Sequence, residues 1–125
     1  MLTKSEKQLM ELLWNVGEPL TYVNILEKSE DKSWKDSYIH IMIRSLLKKG
    51  IIKVAGVELV CKNYARKFAP AMTKEEYIAK TLIHDNIWTQ ESIPDVFRAF
   101  VNETENISIL DEFISIVNAR KMELN

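Results

Sequence analysis

One stretch constrains the fold more than any other: Ser33-Trp-Lys-Asp-Ser-Tyr-Ile-His-Ile-Met-Ile-Arg-Ser-Leu-Leu-Lys-Lys-Gly-Ile-Ile52. Ile39, Met42, Ile43 and Leu46 recur at helical spacing and define one apolar stripe. The helix is predicted to start near Lys35 or Asp36. Asp36 suits the positive end of its dipole, and Lys48 and Lys49 suit the negative end. Gly50 permits the left-handed backbone that stops a helix. The β-branched run that follows, Ile51 to Val54, reads as a strand.

The flanks complete a pattern. Thr3 with Glu6 three residues on is a capping box for a first helix. Leu9, Leu12, Leu13 and Val16 form its stripe, and Gly17 and Pro19 end it. Thr21 caps a second helix that turns Tyr22, Ile25 and Leu26 inward, and the charged run Lys28 to Lys35 reads as a turn. After the third helix, Ala55-Gly56 is predicted as the tight turn of a hairpin and Val57 to Tyr64 as its return strand. Three helices followed by a two-stranded wing is the order of a winged helix-turn-helix module, whose third helix enters the major groove of duplex DNA.

The rest of the chain reads as helical. Thr73-Lys-Glu-Glu76 is a capping box for a helix running to about Trp88. A short helix opens at Ser92 or Ile93 and carries Ile93, Val96, Phe97 and Phe100 on one side. Ser108-Ile-Leu-Asp111 is predicted to cap a last helix through about Met122. Tyr77, Ile78, Leu82, Val96, Phe97, Phe100, Leu110, Phe113, Ile114 and Val117 are more apolar surface than three short helices bury among themselves. A second copy of the chain covers such surface most simply, so these residues are the expected dimer contacts. A fold-back onto the N-terminal module is the alternative. The expected fold class is mainly α with a small β wing: a DNA-binding domain over residues 1–70, then a three-helix dimerisation domain over 71–125.

Charge follows the same division. Residues 1–70 hold 12 basic and 8 acidic side chains, net +4; residues 71–125 hold 5 and 10, net -5. A basic half beside an acidic half suits a nucleic-acid-binding module joined to a non-binding one. The single cysteine, Cys61, excludes a disulfide within one chain and a thiolate metal cluster; inside a strand it is expected as a small buried group. His84-Asp85 alone is a weak metal pattern, so no metal or other cofactor is expected. No apolar run approaches the ~20 residues of a membrane helix, and Met-Leu-Thr-Lys-Ser-Glu has no signal-peptide core, so no membrane insertion and a cytoplasmic location are expected. Phosphate loops, nucleophile elbows, zinc-helix motifs and dinucleotide fingerprints are absent, which ranks an enzyme last.

The third helix supplies the candidate site. With its stripe inward, Ser37, Tyr38, His40, Ile41, Arg44 and Ser45 face outward. Arg44 suits bidentate bonds to guanine, Ile41 suits a thymine methyl, and the hydroxyls suit base edges or phosphates. Lys35 and Lys53 are the expected phosphate contacts. Ile41, Tyr38 and an uncharged wing tip also suit a protein partner, so a winged-helix interaction module that reads no DNA sequence is the rival reading.

Ordered landmarks carry a resemblance. Leu2-Thr-Lys-Ser-Glu-Lys-Gln-Leu-Met-Glu-Leu-Leu-Trp14, Trp34 before the third helix, Ile43 to Ile52 with its Leu-Leu-Lys-Lys-Gly-Ile-Ile, and Tyr64 closing the return strand together resemble the penicillinase and methicillin-resistance repressor family. That family also includes copper-responsive repressors. The resemblance implies a homodimeric repressor on a palindromic operator, acting in the response to β-lactam antibiotics or a related stress. It also implies a membrane sensor-protease as partner and release by cleavage in the tail. The pair at the family's cleavage position is Ala99-Phe100, with Ala where the family has Asn. Tyr38-Ile-His-Ile41 replaces the family's Thr-x-Arg-Thr run, Ala55-Gly-Val-Glu58 replaces its basic wing tip, and the C-terminal cysteines of the copper branch are missing.

Overall fold

The computed structural model describes residues 2–84 and 90–125. Helix α1 spans Lys4–Val16 and α2 spans Tyr22–Lys28. A single 3-10 turn, Asp36–Tyr38, leads into α3, Ile39–Lys48. Strands β1, Ile52–Val60, and β2, Asn63–Pro70, form an antiparallel hairpin, followed by α4, Lys74–Ile83. Beyond a second 3-10 turn at Gln90–Ser92 come α5, Ile93–Asn102, and α6, Ile107–Leu124. The expected helix end at Trp88 and Asp85 of the His84-Asp85 pair lie outside the described residues.

The fold is mainly helical with one small sheet, and the chain divides into two compact units, Met1–Leu82 and Ile83–Asn125. The first unit has a true interior. Leu9, Met10 and Leu13 of α1, Ile25 of α2, Ile39, Met42, Ile43 and Leu46 of α3, and Ile52 and Phe68 of the wing form one buried cluster. The apolar stripe read from the third helix is therefore buried at all four positions. Leu20, between α1 and α2, pairs with Phe68 through two backbone hydrogen bonds of 2.9 and 2.7 Å. The hairpin base is thereby fastened to the helices.

Helix starts follow the sequence chemistry, with one correction. The Thr3/Glu6 and Thr73/Glu76 boxes form, and Thr21 caps α2 in a reciprocal box with Asn24. The last helix is not capped by Ser108. Asn106 does it, its Oδ1 accepting from the Ser108 and Ile109 amides, because an Asx side chain reaches the first-turn N–H groups from one position outside the helix.

The wing corrects a larger expectation. Ala55-Gly56 is not the hairpin turn. It is a bulge between Val54 and Val57, inside a strand that runs on to Val60. The reversal falls at Cys61-Lys62, where both residues have positive φ, 48° and 72°. That is the backbone of a two-residue type I′ turn, here built without the Asn or Gly such turns favour. Gly56 instead takes φ 136° at the bulge, a conformation closed to ordinary side chains. Cys61 is accordingly exposed at the tip, not buried in a strand, and Tyr64 opens the return strand where it was expected to close it.

The first unit extends past the expected boundary at residue 70. The Trp14 indole N–H donates to the Met72 carbonyl at 3.0 Å, Trp14 packs on Tyr77 at 5.7 Å, and Lys74 pairs with Glu11 at 3.0 Å. Tyr77, grouped with the expected dimer contacts, is half-buried in this unit, its ring packed on Trp14. In the second unit no described side chain is buried. Its internal contacts include a small aromatic group: Phe113 of α6 lies 6.3 Å from Phe97 and 5.9 Å from Phe100.

Candidate nucleic-acid interface

The outward face of α3 exists because its other face is committed. The 3-10 turn and the first turns of α3 expose Ser37, Tyr38, His40, Ile41 and Arg44, and Lys35 is exposed just before them. Ile41 is 54% exposed, an unusual state for an isoleucine on a helix whose five other large apolar positions are buried or half-buried. His40 packs its ring on Tyr22 of α2, 5.0 Å away, which steadies its position on this face. Lys32 pairs with Asp36 at 2.7 Å and lies over the Trp34 ring, anchoring the approach to the helix.

Ser45 does not belong with this face. Its hydroxyl donates to Glu6 Oε2 at 2.9 Å, and it is half-buried. Glu6 is 2% exposed and also accepts from Lys49 Nζ at 2.7 Å and from the Thr3 amide at 2.9 Å. Burial works to raise the Glu6 pKa, but the bonds from Lys49, Thr3 and Ser45 and the Lys49 charge outweigh it. The carboxyl is held down at about 2. Lys49 therefore ties the C-terminal end of α3 to the start of α1, beyond complementing the helix dipole. The orientation of the outward face rests on a buried, fully bonded carboxylate.

The wing contributes residues that sequence reasoning passed over. Lys62 sits at the true tip, and Arg66, Tyr64 and Asn63 follow on β2. Arg66 lies over the Phe68 ring at 5.3 Å. A groove between α3 and the wing is lined by His40 and Arg44 on one side and Tyr64 and Arg66 on the other. Lys53 is exposed but lines a different groove, with Trp14, Pro19 and Met72. The structure thus joins Arg44 and His40 to the wing through Arg66, not through Lys53. Cross-strand register could have located the tip, but only by weighing the alternation Val57-Glu58-Leu59 above the Ala-Gly turn signal.

In the second unit, Val96, Phe97, Phe100, Ile114 and Val117 are exposed, as are Ile78 and Leu82 in the first, while Leu110 and Phe113 are half-buried. Ala99-Phe100 lies in the body of α5. No described helix is long and apolar enough to cross a membrane, and among the described residues no three His, Cys, Asp or Glu side chains group as metal ligands.

A search of curated proteins returned no match. The profile of the penicillinase repressor family matches residues 2–115, from the start of the capping box that opens α1 to well inside α6. The wing, the buried stripe of α3, α4, α5 and the first half of α6 fall within that span. The chain belongs to the penicillinase repressor family, and so to a class of transcriptional repressors.

Proposed function

We propose that this chain is a cytoplasmic, homodimeric repressor that places α3 in the major groove of a palindromic operator. The observation that carries the reading is the division of α3. Its apolar stripe is wholly buried, while Ser37, Tyr38, His40, Ile41 and Arg44 stand exposed beside a wing bearing Lys62 and Arg66. Arg44 is assigned to guanine, Ile41 to a thymine methyl, and Lys35, Lys62 and Arg66 to phosphates. The dimer is supported by the apolar faces of α5 and α6, on which Val96, Phe100, Ile114 and Val117 stay exposed, and by the groove of about 360 Å³ that Phe97, Leu110 and Val117 line between them. Two half-sites would lie one helical turn apart or a multiple of it.

A membrane sensor-protease belongs to the same reading as the releasing partner, and a β-lactam or related stress as the signal. Cleavage at Ala99-Phe100 would require α5 to unwind locally, since a protease takes extended backbone. Operator selection from a randomised duplex pool, followed by gel shifts across salt, tests the reading. With ~6–10 phosphate contacts the affinity should fall ~10³–10⁵ between ~50 and ~200 mM salt. Binding insensitive to salt, or no enrichment of any duplex, would reject it.

The rival, a module whose altered face takes a protein, is favoured by Ile41 and by the exposed Val57, Leu59 and Tyr64 of the wing. Failure to bind heparin or random duplex at low salt would select it.

A further inference from the structure

The groove between α3 and the wing has more in it than a phosphate backbone needs. Its lining is partly apolar: Leu47 from α3 and Val60 from β1 are half-buried, and Ile43 and Phe68 reach it from the interior. Arg44 and Arg66 stand on its walls. No aspartate or glutamate lines it, and neither guanidinium takes part in an ion pair among the described residues. The space amounts to about 800 Å³, the size of a small-molecule site.

A DNA strand is charged and hydrated on its outer edge and gains little from hydrocarbon side chains such as Leu47 and Val60. An organic anion uses both parts. A carboxylate matches the guanidinium fork in a bidentate pair, and a ring or chain attached to it removes apolar floor from water. Tyr64 and the His40–Tyr22 pair add aromatic surface at the edges.

We propose that this groove binds an amphipathic organic carboxylate, and that its occupation competes with operator for Arg44 and Arg66. The regulatory half of the proposal rests on the operator reading; the binding half does not. With the carboxylate on the two arginines and its hydrocarbon on Leu47 and Val60, a phosphate cannot use the same guanidiniums. Apparent operator affinity should then fall in proportion to ligand occupancy, with no change of fold required.

The test uses the full chain and 2-naphthoate as probe, followed by methyl and amide NMR, with 2-naphthamide as the uncharged isostere and inorganic phosphate as the anion without a ring. Saturable shifts at Ile43, Leu47 and Val60 are expected, with binding at least 10-fold weaker for naphthamide, for phosphate alone, and for the double variant R44Q/R66Q. No saturable shift, shifts confined to α5 and α6, or equal binding of naphthamide would overturn the site. In a parallel gel shift, naphthoate should raise the apparent duplex Kd in step with occupancy; an unchanged Kd at saturating naphthoate overturns the competition. If naphthoate binds as expected but no duplex is bound at all, the operator reading fails and the carboxylate site stands.

Discussion

The two units of this chain treat their apolar side chains in opposite ways. In residues 2–82 Leu, Ile, Met and Phe side chains from three helices and the wing converge on one interior. In residues 83–125 an apolar set, including Phe97, Phe100, Ile114 and Val117, lies 44–61% exposed. Burial of side chains like these is worth ~1.5–3 kcal/mol each, so the first unit has a reason to fold alone and the second does not. The lesson is that helix formation and self-sufficiency are separate properties. Caps and spacing make α5 and α6 helical, but only a covering surface makes them stable.

That contrast can be broken in four places. The largest effect is expected from Ile114→Glu. In one chain this side chain is exposed, so the change should be harmless if the tail is finished as it stands. Under the dimer reading it buries a charge, and the dimer dissociation constant in sedimentation equilibrium should rise more than ~100-fold, about 3 kcal/mol or more. An unchanged constant would sink the assignment. Leu13→Ala, at a fully buried site in the first unit, should lower stability by ~2–5 kcal/mol, by an amount that does not depend on protein concentration in chemical denaturation.

Glu6→Gln comes next. The folded carboxyl titrates at about 2 against an ordinary 4.5, so its stabilisation is complete above pH ~4.5 and is lost as pH falls toward 2. The shift corresponds to roughly 3 kcal/mol at neutral pH, an upper value for what Gln forfeits. Urea melts at pH 7 and pH 3 should show the variant's deficit shrinking at the lower pH; a deficit that grows instead would contradict the linkage. The smallest effect is at the wing tip. Replacing Cys61-Lys62 with Asn-Gly should stabilise the hairpin by ~1–2 kcal/mol, because these residues take positive φ at less cost. It should also weaken duplex binding by removing Lys62.

Much of the first unit was legible. The stripe of α3, two capping boxes and the glycine that ends the helix follow from local rules, and local rules decide local structure. The wing turn was not legible, because a glycine has two uses in a hairpin and only register distinguishes a bulge from a reversal. Glu6 was legible as a cap and no further. Its bonds to Ser45 and Lys49 span 39 and 43 residues, and periodicity carries no such information. The contact of Tyr77 with Trp14 was illegible for a similar reason: an apolar residue on a helix reports that something covers it, not what the cover is. Arg66 was missed because charge alone does not say which wing residues reach the groove beside α3.

The pairing of Leu20 with Phe68 has a mechanical consequence. Phe68 is simultaneously in the interior, in the hairpin ladder and under Arg66. The hairpin cannot hinge at its root without tearing two backbone bonds and lifting a ring out of the interior. Whatever bends the far end of the wing therefore works as a torque on the connection between α1 and α2, and whatever reseats that connection swings the tip.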